Sequence, residues 1–116
     1  MATMSVAQMQ HHRRVLIVAA PSATDPSLAE QRRELAGWTK AGAERDVAVV
    51  EVIGDHVAGA SDTAADLRRR YRLHATFAVV LIGKDGHEAD RSPRPYPARA
   101  LEATIDAMPM RRAGLR

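Results

Sequence analysis

Cysteine is absent from this chain of 116 residues. Disulfides, thiolate metal sites and cysteine nucleophiles are therefore excluded, and no redox compartment can be inferred from cysteine use. Aromatic residues make up only 3% of the sequence, so the core must come from aliphatic side chains and methionine. Apolar residues make up 46% and charged residues 27%, which is a globular balance at the length of one domain.

Long apolar stretches are also missing, since no run approaches the roughly 20 residues that cross a membrane. The run at residues 15–20 (VLIVAA) follows Arg13 and Arg14 and faintly resembles a secretion signal. It is too short for the apolar region of a signal, and Pro21 follows it at once. We interpret the run as a buried strand and expect a cytoplasmic protein rather than a periplasmic or secreted one.

The formal net charge of +3 comes from the end of the chain. Without Arg111, Arg112 and Arg116, the first 110 residues hold 14 basic and 14 acidic side chains. This basic tail indicates either a solvated end or contact with phosphates or an acidic partner. A second arginine-rich stretch, residues 68–72, lies at the end of a predicted helix, where positive charge interacts favourably with the helix dipole. Because the dipole explains these arginines and the chain lacks the interleaved aromatics of single-strand binders, we do not expect nucleic-acid binding.

The apolar periodicity predicts the order β-α-β-α-β-β-α. The predicted strands are residues 15–20, 47–53, 77–82 and 87–91, and the predicted helices are residues 26–43, 63–72 and 98–107. A right-handed crossover makes the first two strands parallel, and the Asp-Gly turn at residues 83–86 makes the last two antiparallel. The simplest α/β fold with this order is a mixed four-stranded sheet with helices on both faces, which is the thioredoxin-like arrangement. We expect Trp38 and Tyr71 in its core.

Three segments carry a family resemblance: residues 20–26 (APSATDP), residues 80–86 (VLIGKDG) and residues 105–112 (IDAMPMRR). Over about residues 13–112 the chain resembles small bacterial thioredoxin-like, peroxiredoxin-related proteins of unknown function. These proteins are relatives of a domain embedded in sushi-repeat and other extracellular matrix proteins. We therefore expect a flexible arm at residues 1–12, a thioredoxin-like domain at residues 13–110 and a basic tail at residues 111–116.

The resemblance points to the turn after the first strand, where thioredoxins carry their reactive thiols. Ser22, Thr24 and Asp25 occupy that turn here, and none is a thiol. Asp25 suits a helix cap, while the turn could instead hold a small anion at the helix N-terminus. We expect the predicted hairpin tip to expose Lys84, which is a further ligand-binding candidate because the Asp-Gly turn explains its neighbours but not the lysine.

The segment after the last helix is the candidate surface for a partner. We interpret it as an apolar projection bordered by positive charges, formed by Met108, Met110, Arg111 and Arg112. The histidines have no ligand spacing, so we predict no metal and no cofactor. The favoured function is a non-enzymatic module that acts by protein contact or homodimerisation. The alternative is an oxidoreductase-like enzyme or small-anion binder that uses the turn after strand one, without thiol chemistry.

Overall fold

The structure, a computed structural model, describes residues 3–115. Five strands form one mixed sheet in the order β3-β2-β1-β4-β5. The strands are β1 (Arg14–Ala20), β2 (Val47–Ile53), β3 (His56–Ala58), β4 (Ala78–Ile82) and β5 (Glu88–Ser92). The helices are α1 (Val6–Met9), α2 (Pro26–Ala36), α3 (Thr39–Glu44), α4 (Ala64–Tyr71), α5 (Ala98–Asp106) and α6 (Pro109–Arg112). A mixed α/β fold was expected, and this part of the prediction is confirmed.

The central strand β1 is buried along its whole length. It runs parallel to β2, with Val15 opposite Ala48, and antiparallel to β4, with Val15 opposite Ile82. Strand β5 pairs antiparallel with β4 at the polar edge of the sheet. The two predicted relations, parallel for β1 with β2 and antiparallel for β4 with β5, are therefore correct.

The prediction of four strands is wrong, because β3 adds a fifth. Gly54 takes a positive φ of 55° after β2, which turns the chain back on itself. Val57 then lies opposite Val52 in an antiparallel pair of only three residues. This strand lies in a stretch rich in small residues, whose composition resembles a linker and gives no strand signal.

The single helix predicted over residues 26–43 is two helices. Helix α2 ends at Ala36 and Gly37 is its C-cap, after which Trp38 leads into α3. This break turns the Trp38 ring into the core, where its Nε1 donates a hydrogen bond to Glu102 Oε1 at 3.0 Å. After α5 the chain forms one further short helix, α6, with Pro109 in its first turn.

Alternating residues of β1 enter two separate cores, one on each face of the sheet. Val15 and Ile17 pack with the residues of α1 and α4, including Tyr71. Leu16 and Val18 pack beneath α2, α3 and α5, together with Trp38. Trp38 and Tyr71 are both buried, as predicted. Helices therefore cover both faces of the sheet. No helix within residues 3–115 is long and apolar enough to cross a membrane.

The predicted N-terminal arm contains helix α1, whose Val6 and Met9 are buried in the core. Ser5 caps this helix, and Gln8 completes a capping box. The Val6 amide donates to Asp62 Oδ1 at 2.8 Å, which ties the helix to the segment before α4. Residues 5–9 thus pack on the sheet as part of the domain.

Candidate functional site

Two of the segments singled out from the sequence, residues 80–86 and 105–112, meet at one end of the sheet. We call this the Arg14 end, where β1 and β2 begin and β4 ends. The opposite end, where β1 leads into the turn at residues 21–25, is the Asp25 end. Antiparallel pairing of β1 with β4 places the hairpin after Ile82 beside the start of β1. Met108 reaches the same place, because its Sδ accepts a hydrogen bond from Arg14 Nε at 3.3 Å.

The hairpin at residues 83–86 is a tight turn held by its own backbone. The Gly86 amide donates to the Gly83 carbonyl at 3.0 Å, and Asp85 Oδ1 accepts from the His87 amide at 3.0 Å. Only Gly86 has a positive φ, of 84°, so the turn belongs to the type I family with a left-handed glycine rather than to type I′. This backbone bond from His87 is the main reason that the pKa of Asp85 lies below its usual value.

The tip of this hairpin is anchored to the N-terminal segment. Gln10 Nε2 donates to the Asp85 carbonyl at 2.8 Å, and the His11 amide donates to the Lys84 carbonyl at 2.6 Å. The φ of 84° favours glycine at residue 86, and a Cβ there would lie 2.8 Å from the end of the Gln10 side chain, which would have to move. The N-terminal segment therefore fixes where the Arg14 end presents the hairpin.

Lys84 does not project from the hairpin tip as expected. Its side chain is only 8% exposed and its Nζ lies 2.8 Å from Asp46 Oδ2. Asp46 precedes β2 in a left-handed conformation with φ of 54° and also lies 3.7 Å from Arg13. The lysine turns inward because its ammonium finds a carboxylate there, and the aliphatic stem is buried on the way. The expectation that the tip exposes Lys84 is wrong, and a ligand-binding role for it remains a prediction.

A second ion-pair group closes the same end of the sheet. Arg45 Nε and Nη2 each donate to Asp106 at 3.0 Å, and Arg111 Nε reaches the same carboxylate at 3.4 Å. The hydrogen bond from Arg45 is the main reason that the pKa of Asp106 is lowered. Arg111 is therefore held against the domain rather than free in a tail, while Arg112 is exposed.

An open cleft of about 300 Å³ lies between the hairpin and α6. We call it the Arg14 cleft, and its lining comprises Arg14, Gly83, Lys84, Asp85, residues 87–89 and residues 108–110. Most of its accessible lining is apolar. Met108 is half-buried and Met110 is 40% exposed at the rim. Lys84, Met108 and Met110, predicted as parts of two different sites, thus line one cleft.

The other predicted ligand residues lie about 20 Å away, at the far end of the seven-residue strand β1. Asp25 Oδ1 accepts from the Ser27 amide at 2.8 Å, which makes it the N-cap of α2, as predicted. The hydroxyls of Ser22 and Thr24 are exposed and lie 3.2 Å apart. This turn holds a capped helix start, with a carboxylate where an anion would have to bind.

The comparisons with known proteins place the chain in a family. A family model described as a domain of unknown function, DUF4174, matches residues 5–114. The chain belongs to the DUF4174 family. No curated protein matches it. A solved structure described as "Structure of a malarial protein" resembles the DUF4174 chain with a TM-score of 0.61 at 13% identity, over 82% of this chain and 96% of that one. That likeness concerns the fold alone.

Three residues of the Arg14 end were missed by the sequence reasoning: Arg14, Arg45 and Asp46. Arg14 directly precedes an apolar run, and nothing in the neighbouring sequence distinguishes it from a solvent-exposed arginine. Its burial follows from pairing with Val47 across the sheet and from α6, which folds over the strand's start. Among residues 3–115 no group of three or more histidine or acidic side chains could hold a metal ion.

Proposed function

We propose that this DUF4174 chain is a thioredoxin-like, peroxiredoxin-related module that acts by protein contact rather than by catalysis. The parallel pairing of β1 with β2 and the antiparallel pairing of β4 with β5 support the thioredoxin-like assignment. The lack of any cysteine removes thiol chemistry from such a scaffold. The relationship to bacterial proteins of this kind and to the domain in sushi-repeat proteins belongs to the same proposal.

The proposal depends on one observation. Residues 80–86 and residues 105–112, two of the segments that carry the family resemblance, meet at the Arg14 end. Met110 is exposed there at the rim of an apolar cleft, and Arg112 lies two residues further along α6. An apolar anchor beside a cationic group favours a partner that presents an apolar side chain next to acidic ones. We propose such a protein as the partner, and a second copy of this chain is the other outcome of the test below.

The alternative, an oxidoreductase-like enzyme or small-anion binder at the Asp25 end, has weaker support. Its helix start is already capped by Asp25, and among residues 3–115 the Thr24 hydroxyl hydrogen-bonds only to the Ser22 hydroxyl. A hydroxyl needs an adjacent base to act as a nucleophile. Titration with phosphate or sulfate discriminates the two ideas, since amide shifts confined to residues 22–28 would favour the alternative.

A cytoplasmic location is also part of the proposal, in preference to the periplasm or secretion. The support for it is that residues 15–20, which resemble a secretion signal, lie within the central strand β1. We do not propose nucleic acid as a partner. Arg68 donates to the Gly54 carbonyl and Arg69 pairs with Asp66 on its own helix, so part of the arginine-rich stretch is engaged within the domain.

The test compares two double variants that change the same residue types on different surfaces. M110E/R112E alters the Arg14 end, and M4E/R33E alters exposed residues elsewhere. Immobilised chain is incubated with lysate, captured proteins are quantified by mass spectrometry, and light scattering measures the mass in solution. We expect at least one captured protein, or a dimer, that M110E/R112E loses about tenfold and M4E/R33E retains. A strict monomer with identical capture by both variants contradicts the proposal.

A further inference from the structure

Arg14 is a buried cation at the base of the Arg14 cleft. The residue is 1% exposed. Its Nε donates to the Met108 sulfur, and its Nη1 donates to the Arg45 carbonyl at 2.7 Å. Both acceptors are uncharged, and no carboxylate oxygen among residues 3–115 lies within 4.0 Å of the guanidinium. A buried charge without an opposite charge is unfavourable, so its presence at a cleft wall requires a reason.

The carboxylates nearest to this guanidinium have other partners. Asp46 pairs with Lys84, and Asp106 accepts two hydrogen bonds from Arg45. Burial is the largest influence on the pKa of Arg14 and lowers it, and the positive charge of Arg111 acts in the same direction. The base of the cleft therefore carries positive charge that the surrounding side chains offset only at a distance.

The acidic residues that line the cleft form hydrogen bonds or ion pairs with groups other than Arg14. Asp85 accepts from the backbone of its own turn, and Glu88 pairs with Arg91 at 2.8 Å. The rest of the lining includes His87 and Lys84, and its apolar part is formed mainly by Met108, Pro109 and Met110, which suit an apolar group. A volume of about 300 Å³ is at the lower limit of small-ligand sites.

We propose that the Arg14 cleft binds a small apolar carboxylate, with its carboxylate at Arg14 and its apolar part against Met108 and Met110. A planar guanidinium is the side chain best suited to a carboxylate. The carboxylate belongs either to a free short-chain acid or to the C-terminal residue of a peptide. This inference rests on the proposed function in using the same surface, and it names the chemistry that this surface recognises.

The first test is isothermal titration of the full chain with hexanoate, with hexanol and hexylamine as probes of equal length. We expect saturable binding of hexanoate at one site, and binding of the two other probes that is at least about tenfold weaker. Equal binding of hexanoate and hexanol, or no binding of hexanoate, overturns the inference.

Two variants locate the site. R14M keeps an unbranched, though shorter, side chain without the charge and should weaken hexanoate binding about tenfold or more. Because R14M can also fail to fold, M110S is measured beside M4S, which removes an equally exposed methionine elsewhere. We expect M110S to weaken binding about threefold and M4S to leave it unchanged. Equal affinities of M110S and M4S overturn the assignment to this cleft.

A tetrapeptide that ends in leucine, with a free or an amidated C-terminus, distinguishes the two sources. Preference for the free form at higher affinity than hexanoate supports a partner's C-terminus, and hexanoate binding without peptide binding supports a free acid. If M110E/R112E loses its partner while hexanoate never binds, this inference fails and the proposed function stands. If hexanoate binds while capture is unchanged in M110E/R112E, the proposed function fails and this inference stands.

Discussion

The pair formed by Lys84 and Asp46 gives the sharpest test of how the Arg14 end is built. The ammonium and the carboxylate lie 2.8 Å apart, with only 8% and 15% of the two side chains exposed. K84M keeps the aliphatic stem and removes the charge. It leaves the largely buried Asp46 carboxylate without its closest cation, while the exposed Arg13 lies 3.7 Å away.

Removing one member of a buried pair costs about 3–5 kcal/mol, whereas an exposed pair contributes at most about 1 kcal/mol. Because Arg13 and the residual exposure of Asp46 relieve part of the loss, we expect K84M to lower the free energy of unfolding by about 3 kcal/mol. D46N should suit the left-handed backbone at this position, since asparagine tolerates it. The double variant should lose less than the sum of the single losses, by about 1–3 kcal/mol.

Urea unfolding followed by circular dichroism measures all four proteins of this cycle. K40M is the matched control, because it makes the same change at an exposed lysine and should stay within about 0.5 kcal/mol of the parent. If K84M is as stable as K40M, or if the two single losses simply add, the side chain does not pair with Asp46. The hairpin would then be free to present Lys84 to a ligand, as the sequence suggested.

Three further predictions concern the packing of the domain. The fully buried Gln31 side chain hydrogen-bonds both the amide and the carbonyl of Tyr96, just before α5. Q31M should therefore lower the free energy of unfolding in urea by about 2–4 kcal/mol, and a loss below about 0.5 kcal/mol would contradict this. M9A should cost about 2 kcal/mol and M4A almost nothing, and equal stabilities would mean that α1 does not dock. Because Arg45 lowers the pKa of Asp106, this carboxylate stabilises the fold above about pH 4 and loses its effect as pH falls through its lowered pKa. D106N should therefore show a smaller loss of stability than the parent between pH 6 and pH 3, and identical losses would refute the pairing.

Structural features that depend on residues close together in the sequence were predicted correctly. The apolar run of β1, the Asp25-Pro26 start of α2 and the Asp-Gly turn of the hairpin each express a local preference that the fold keeps. The same holds for the parallel pairing of β1 with β2 and the antiparallel pairing of β4 with β5, which follow from the kinds of connection between them. These features need no knowledge of distant partners.

Features that depend on distant partners could not be predicted. Lys84 turns inward because it pairs with Asp46, which is 38 residues away in the sequence. Arg14 is buried because Met108, 94 residues away, packs over it. Strand β3 has three residues and exists only through pairing with β2. The break at Gly37 is equally non-local, since it turns Trp38 toward a glutamate on α5.

Amide chemical-shift mapping distinguishes binding at the Arg14 end from binding at the Asp25 end. Hexanoate and inorganic phosphate are titrated in parallel into two portions of one labelled preparation. We expect hexanoate to shift amides within residues 83–89 and 108–112 and phosphate to leave residues 22–28 unchanged. Shifts from either probe that are confined to residues 22–28 would contradict this expectation.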